Sequence, residues 1–255
     1  MNAFEINKRR EKIISIIQEY DSIKVSELVT LLHVSDETIR KDLKLLSQQG
    51  LVIKKFGVVF LNKENELPPV GMRISQSNLV KQEIANKALT LLPDKHITIG
   101  LDQGSTVATV AEQINKKDND CTIMTSSLPA LIALKDSQQE IYCPGGKYSL
   151  NDMSFQANYF KNFFEQLHLD YCFIGSSGVK NRRGICSTSL ADAEMKRIMV
   201  ENSDCSIAVL EKEKFEETSL IQAVGWDAID YVVTNARQDD PLIKNIQQET
   251  NFVFL

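Results

Sequence analysis

The sequence offers little to a membrane, an oxidising compartment or a metal ion. No apolar run within its 255 residues approaches the length that crosses a bilayer. The first twenty residues mix both charge signs within a helical apolar period. They lack the basic start, unbroken apolar core and small-residue cleavage site of a signal peptide. The five cysteines are an odd number with no C-x-x-C spacing. Cys121, Cys172 and Cys205 sit at or beside apolar strand-like runs and read as buried, reduced thiols. His33, His96 and His168 are far apart and form no ligand-spaced pair, so a zinc site or histidine-based triad has little to build on. Internal repeats and low-complexity tracts are also missing. These absences predict a cytoplasmic chain with no metal, no cofactor and no membrane contact.

What is present is the balance of a folded soluble protein, 43% hydrophobic and 25% charged. The net charge of -5 argues at first against nucleic acid, but its distribution reverses the argument. Residues 1–60 carry +2 and the remainder -7. Residues 38–57 hold Arg40, Lys41, Lys44, Lys54 and Lys55 against Asp42 alone. A local basic face on an acidic protein suits a DNA reader, because phosphate contacts are local. A merely solvated helix face would carry the same charges.

Three helical segments come first. Residues 7–19 place Ile13, Ile17 and Tyr20 on one face. A second segment opens at Ser26, a candidate N-cap, and carries Leu28, Leu31 and Leu32. Ser35 caps a third, about 36–47, whose apolar stripe is Ile39, Leu43 and Leu46, with Gly50 as its stop. The extended pieces LVIKK and GVVFL, with Phe56-Gly57 between them, read as a hairpin wing. Residues 1–61 therefore form one unit, 62–73 (with Pro68-Pro69) a linker, and 74–255 a second unit. In the second unit, a helix carrying Leu79, Ile84, Ala85, Ala88 and Leu91 ends at Pro93. Strand runs at 97–101, 122–125, 140–143, 170–175, 205–210 and 230–234 then alternate with helices near 105–116, 128–136, 152–167 and 190–202. The fold class is α/β, a helix-turn-helix with a wing joined to a mostly parallel open sheet.

In a helix-turn-helix the second helix offers a polar face to the major groove. The helix at 36–47 keeps Thr38, Arg40, Lys41 and Lys44 off its apolar stripe, with Ser35 at the entering end. Arg40 is of the type that pairs bidentately with guanine, and Lys54 and Lys55 on the wing can reach adjacent phosphates. The series Arg9, Ile13, Ile17, Ser35, then Thr38-Ile39-Arg40-Lys41-Asp42-Leu43 resembles the signature of the DeoR family of bacterial repressors. That resemblance implies a winged helix-turn-helix, bound as a homo-oligomer (dimer or tetramer) to double-stranded operator DNA. Ser26 joins the DNA-binding set with Ser35, Thr38, Arg40, Lys41, Lys44, Lys54 and Lys55. The family usually has paired glycines at the wing, where this chain has Gly57 followed by Val58-Val59.

The second unit's most informative loop is Asp102-Gln103-Gly104-Ser105-Thr106, between a strand and a helix. Helix N-termini attract phosphate and glycine admits close approach, although a plain capped junction would look the same. Other strands run into Ser126-Ser127, Pro144-Gly145-Gly146-Lys147 and Ser176-Ser177-Gly178. Lys196, Arg197 and Lys214 are candidate cations for the same rim, or ordinary surface charges. This half is similar to the sugar-phosphate sensor of the same family through Asp102-x-Gly104-Ser105-Thr106, Thr125-x-Ser127, Gly145-Gly146, Phe173-Ile174-Gly175, Ala193-x-x-Lys196-Arg197 and Lys214-Phe215. The resemblance extends to ribose-5-phosphate isomerase. It implies a sugar-phosphate effector, with Gly104, Ser105 and Thr106 on phosphate and Asp102 orienting a hydroxyl or the loop. Lys196 and Lys214 would neutralise charge, and Ser126, Ser127, Gly145 and Gly146 would line the rim. The chain departs from the family at Ser126, Glu211 and Asn235, where Asn, Asp and Asp are usual.

These features predict a transcription repressor of a sugar-metabolism operon, not an enzyme. Two other readings share them: a sugar-phosphate isomerase with a DNA-binding head, and a constitutive DNA binder with a degenerate sensor.

Overall fold

A computed structural model describes residues 3–48, 51–61, 70–74, 78–117, 120–157, 163–164 and 166–255. Most of the linker and the stop at Gly50 lie outside these residues.

Helix α1 (Ala3–Tyr20), strand β1 (Ser22–Lys24), helices α2 (Val25–Leu32) and α3 (Asp36–Gln48), and strands β2 (Val52–Lys55) and β3 (Val58–Leu61) form the N-terminal unit. Ile13, Ile17, Leu28, Ile39, Leu43 and Leu46 close its core, as their spacing predicts. Three expectations are corrected. Tyr20 and Leu31 point outward, at 59% and 49% exposure, while the core of this unit closes without them. Ser26 does not cap α2. The helix begins one residue earlier, and Glu27 Oε2 accepts from the Lys24 backbone N–H at 3.2 Å. The wing is also wider than a hairpin: β1 pairs antiparallel with β3, giving the order β1-β3-β2.

Asp42 is the one acidic side chain of α3 that is buried, at 1% exposure. It accepts from Arg9 Nε at 2.6 Å and Arg10 Nε at 2.8 Å, so the two arginines of α1 clamp the third helix from behind.

The second unit opens with α4 (Val70–Ile74) and α5 (Asn78–Ala88). Strands β4 (Ile97–Leu101), β5 (Cys121–Thr125), β6 (Glu140–Tyr142), β9 (Leu169–Ile174), β11 (Ser203–Leu210), β13 (Tyr231–Thr234) and β14 (Asn251–Phe254) make a seven-stranded sheet, order β14-β13-β11-β9-β4-β5-β6. Every pairing in it is parallel. Helices α6 (Ser105–Lys117), α7 (Leu128–Ala133), α8 (Leu190–Glu201) and α9 (Pro241–Ile246) accompany it, with a buried apolar cluster against each face. Leu79 of α5 is 76% exposed, while Ile84, Ala85 and Ala88 reach the core.

Two small antiparallel pairs stand outside that sheet, and the sequence reading missed both. Strands β10 (Gly184–Ser187) and β12 (Ile221–Gly225) pair beside α8, where Arg197 donates to the carbonyls of Ala223 at 2.8 Å and Gln222 at 3.1 Å. Strands β7 (Lys147–Ser149) and β8 (Ser154–Gln156) replace the start of the helix predicted at 152–167. Phe155 donates its N–H to the Ser126 carbonyl at 2.9 Å and sets its ring 5.8 Å from Tyr148, contacts a helix there would forfeit.

Candidate functional site

Strands β4, β9 and β11 lie side by side in the middle of the parallel sheet, and the loops leaving their C-terminal ends converge. In open α/β sheets that edge is where ligands gather. A cavity of about 200 Å³ opens there, walled by residues 103–107 and 175–177, by Glu211, Lys214 and Glu217, and by Arg73, Lys81, Asp152, Asp192 and Lys196 among others. Gly104 takes φ 144, a conformation side chains rarely adopt, and nothing lies within 4 Å of where its Cβ would be. Its carbonyl accepts from the Ala108 N–H at 2.9 Å, so Gly104 starts α6, and the first N–H groups of the helix, which belong to residues lining the cavity, have no helical partners. Ser105 is buried there, and Thr106 donates to Glu211 Oε1 at 3.3 Å.

Among the described residues, four cations line this cavity. Lys81 arrives from α5, 2% exposed, donating to the Arg73 carbonyl and lying 3.8 Å from Glu211. Burial pushes both Lys81 and the Arg73 guanidinium below their usual values. Lys214 is half-buried and 2.6 Å from Glu217. Lys196, from α8, is bonded to Asp102 and lies 2.9 Å from Asp192. The same wall carries Asp152, Asp192, Glu211, Glu213 and Glu217. Burial raises the carboxyl groups of Asp152 and Glu211 above their ordinary values.

Asp102 stands behind the cavity rather than on its wall. Fully buried, it receives Lys196 and the Gly175 N–H, the latter at 3.0 Å. Burial lifts its pKa to about 6 against the pull of Lys196. Burial alone would lower the Lys196 ammonium, but Asp102 and Asp192 outweigh it and hold it above its ordinary value. Asp192 also accepts from Gln103 Nε2 at 2.5 Å. The group locks loop 102–104, strand β9 and helix α8 to one another.

The structure thus gathers Gly104, Ser105, Thr106, Lys196 and Lys214 around one cavity, with Asp102 bracing it. The remaining predicted rim residues go elsewhere. Ser126 lines a neighbouring cavity of about 400 Å³ with Lys147, Gln156 and Glu194, and Gln103 borders both spaces. Ser127 is buried as the N-cap of α7, its Oγ accepting from Ala130 N at 3.4 Å. Gly145 and Gly146 lead into β7, where a Cβ on Gly146 would stand 2.5 Å from the Gln156 carbonyl oxygen. Arg73, Lys81 and Asp152 were not read from sequence. Lys81 belongs to an ordinary amphipathic helix pattern, and only its burial distinguishes it.

On the N-terminal unit, Arg40, Lys41 and Lys44 are exposed along α3, and Lys54 and Lys55 along the wing. Arg40 pairs with Asp36 and Lys41 with Glu37, each one helical turn back. Ser35 Oγ lies 2.8 Å from Thr38 Oγ1 and accepts from the Thr38 N–H at 3.3 Å, capping α3. Ser26 is exposed in the first turn of α2.

Residues 9–65 match the DeoR-like helix-turn-helix domain, and residues 77–236 match the DeoR C terminal sensor domain. The chain belongs to the DeoR family. Two similar proteins are an activator and a repressor by name. One is the L-fucose operon activator of Haemophilus influenzae, 30% identical over 95% of this chain and 97% of its own length. The other is the glycerol-3-phosphate regulon repressor of Escherichia coli, 26% identical over 90% of each chain. Among solved structures, ribose 5-phosphate isomerase A from Methanocaldococcus jannaschii is similar at 15% identity over 55% of each chain, with a TM-score of 0.40. That likeness is too slight to carry an argument. The chain is thus a DNA-binding transcription regulator of a family that governs sugar-related operons. Among the described residues no helix is long and apolar enough to cross a membrane, and no group of three or more His, Cys, Asp or Glu is placed to hold a metal ion.

Proposed function

We propose that this regulator is a homo-oligomeric repressor whose affinity for operator DNA is set by a phosphorylated sugar held in the cavity at the β4–α6 junction. The observation that carries the reading is the pairing, in one small space, of a helix N-terminus at Gly104–Thr106 with Lys81 and Lys214. Unpartnered N–H groups and cations suit a phosphate. Asp152, Asp192 and Gln103, on the same wall, suit sugar hydroxyls. Both lysines already have carboxylate partners, Glu211 and Glu217, so a phosphate must displace or protonate them. That requirement favours an effector with both an anionic end and hydroxyls over a bare anion. Arg73 is the last residue of the segment 62–73 expected as the linker and lies in α4, so a ligand touching it also touches the segment that leads to the DNA-binding unit. An effector that prefers one arrangement of that segment shifts the DNA equilibrium by its differential affinity, typically about 1–3 kcal/mol or 5–150-fold.

Isomerase chemistry needs a carboxylate base free to reach a substrate carbon. Asp102 is committed to Lys196 and the Gly175 N–H behind the wall, which favours a binding role over a catalytic one. The test is fluorescence anisotropy of the purified chain on DNA from upstream of its own operon, at fixed salt, with a panel of sugar phosphates and their unphosphorylated parents. Selective binding weakened by one phosphorylated member supports the reading. Strengthened binding would reverse its sign, and indifference to the whole panel would leave a constitutive DNA binder. Turnover of a panel member would revive the enzyme.

A further inference from the structure

The wing tip carries a side chain that folding does not explain. Strands β2 and β3 are joined by two residues, Phe56 and Gly57, with Lys55 paired to Val58 across the turn. Both take positive φ, 50° and 79°, the signature of a type I′ hairpin turn. Asn, Asp and Gly favour such positions, because a larger L-residue crowds its own carbonyl there. Phe56 is neither small nor polar, and its side chain is fully exposed at 105%. It therefore accepts an unfavourable backbone and an unfavourable exposure in the free protein. Those costs are offset only if the ring is buried against something else.

Its surroundings indicate what that is. Lys54 and Lys55 flank it, both exposed, so the tip is a basic stalk ending in an apolar ring. The Gly57 carbonyl accepts from the Val25 N–H at 3.0 Å, tying the turn to the first residue of α2. Strand β1, leading into α2, pairs with β3. The tip is thus fixed relative to the two helices of the helix-turn-helix rather than trailing from them. When α3 occupies a major groove, a wing beside it stands over the flanking backbone and the adjacent minor groove.

We infer that Phe56 is a DNA-contacting wedge, its ring entering the minor groove beside the recognition helix and stacking on or parting one base step, with Lys54 and Lys55 on the flanking phosphates. Apolar wedges of this chemistry partly unstack a step and kink the duplex. Flexible pyrimidine–purine steps yield at the smallest cost, so the wing adds sequence preference outside the bases that α3 reads. The inference rests on the DNA-binding reading of the family and adds to it a residue and a mode of contact.

The experiment uses the full chain and a duplex it selects from a random-sequence pool. 2-Aminopurine is then placed at successive steps flanking the segment protected by α3. Wild-type protein should raise the fluorescence of one flanking step. Phe56→Asn, which suits a type I′ turn, should abolish that signal and weaken binding at least about fivefold, the loss of one stacked base. Its thermal midpoint should be equal or higher, since strain and exposure are both relieved. Phe56→Trp should keep signal and affinity. Unchanged affinity and fluorescence in Phe56→Asn would overturn the inference while leaving the DNA-binding reading intact. Failure of the wild-type chain to enrich any duplex would overturn both.

Discussion

In the N-terminal unit Arg40, Lys41, Lys44, Lys54 and Lys55 all stand in solvent, whereas in the sensor Lys81 and Lys196 are each 2% exposed. The exposed cations are either unencumbered or tied to a carboxylate one turn away, pairs that water and salt already weaken. A phosphate can replace such a partner at little cost. The buried cations sit among carboxylates with almost no surface open to solvent. Breaking one of those pairs leaves a charge with nowhere to go. The difference separates two kinds of recognition. Under the proposed function, the head meets a long polyanion by many small exchanges, while the sensor meets a small ligand by reorganising a few costly ones. Asp42 marks the exception, a buried acid in the head that holds Arg9 and Arg10.

The largest expected effect tests the buried side of this contrast. Lys196→Met strands Asp102 and Asp192 together and should destabilise the sensor by about 3–5 kcal/mol. A change in urea unfolding below about 1 kcal/mol would show that the cluster is not the brace described. Next is the pH dependence of Asp102. Its folded pKa of about 6 lies above the ordinary 3.8, so the folded chain takes up this proton first as pH falls. The group costs stability above pH 6, and the cost fades toward the unfolded value. Relative to Asp102→Asn, the wild type should therefore gain on the order of 1–3 kcal/mol between pH 7 and pH 4. A flat difference across that range would refute the assignment.

Smaller effects test the exposed side. Arg40→Ala should lower affinity for the selected operator roughly tenfold and relax preference at one position. Lys54→Ala should instead weaken all sequences alike and flatten the salt slope by about one counterion. Neither should move the thermal midpoint, and a fall of several degrees in either would mean the side chain is structural. The smallest effect belongs to Asp36→Ala. Removing this exposed partner of Arg40 should leave folding almost untouched and slightly tighten DNA binding, by less than about threefold. Weaker binding would show that Asp36 positions Arg40 for the base.

Much of the fold was legible because it is local. The i, i+3, i+4 apolar period drew α3 to within one residue, and β4 was bounded correctly by the five residues ITIGL. The wing's β1 was missed because three residues carry no period, and its existence depends on β3 almost forty residues on. The predicted helix at 152–167 failed at its start because Phe155 has a better partner in Tyr148 than in its own turn. At the site, the loop chemistry of Gly104–Thr106 was readable, but Arg73 and Lys81 were not. A buried lysine and an exposed one look alike until the structure shows what covers them.

The sequence by itself determined the family, the helix-turn-helix, the parallel sheet and the strand–turn–helix loop at Gly104, because each is written in neighbouring residues. Tertiary structure decided which charges are exposed and which are enclosed. Lys196 meets Asp102 across 94 positions, and Ser127 and Gly146 are taken up by packing instead of the cavity. Burial and pairing of that kind depend on how distant segments stack, and no local pattern of residues encodes it.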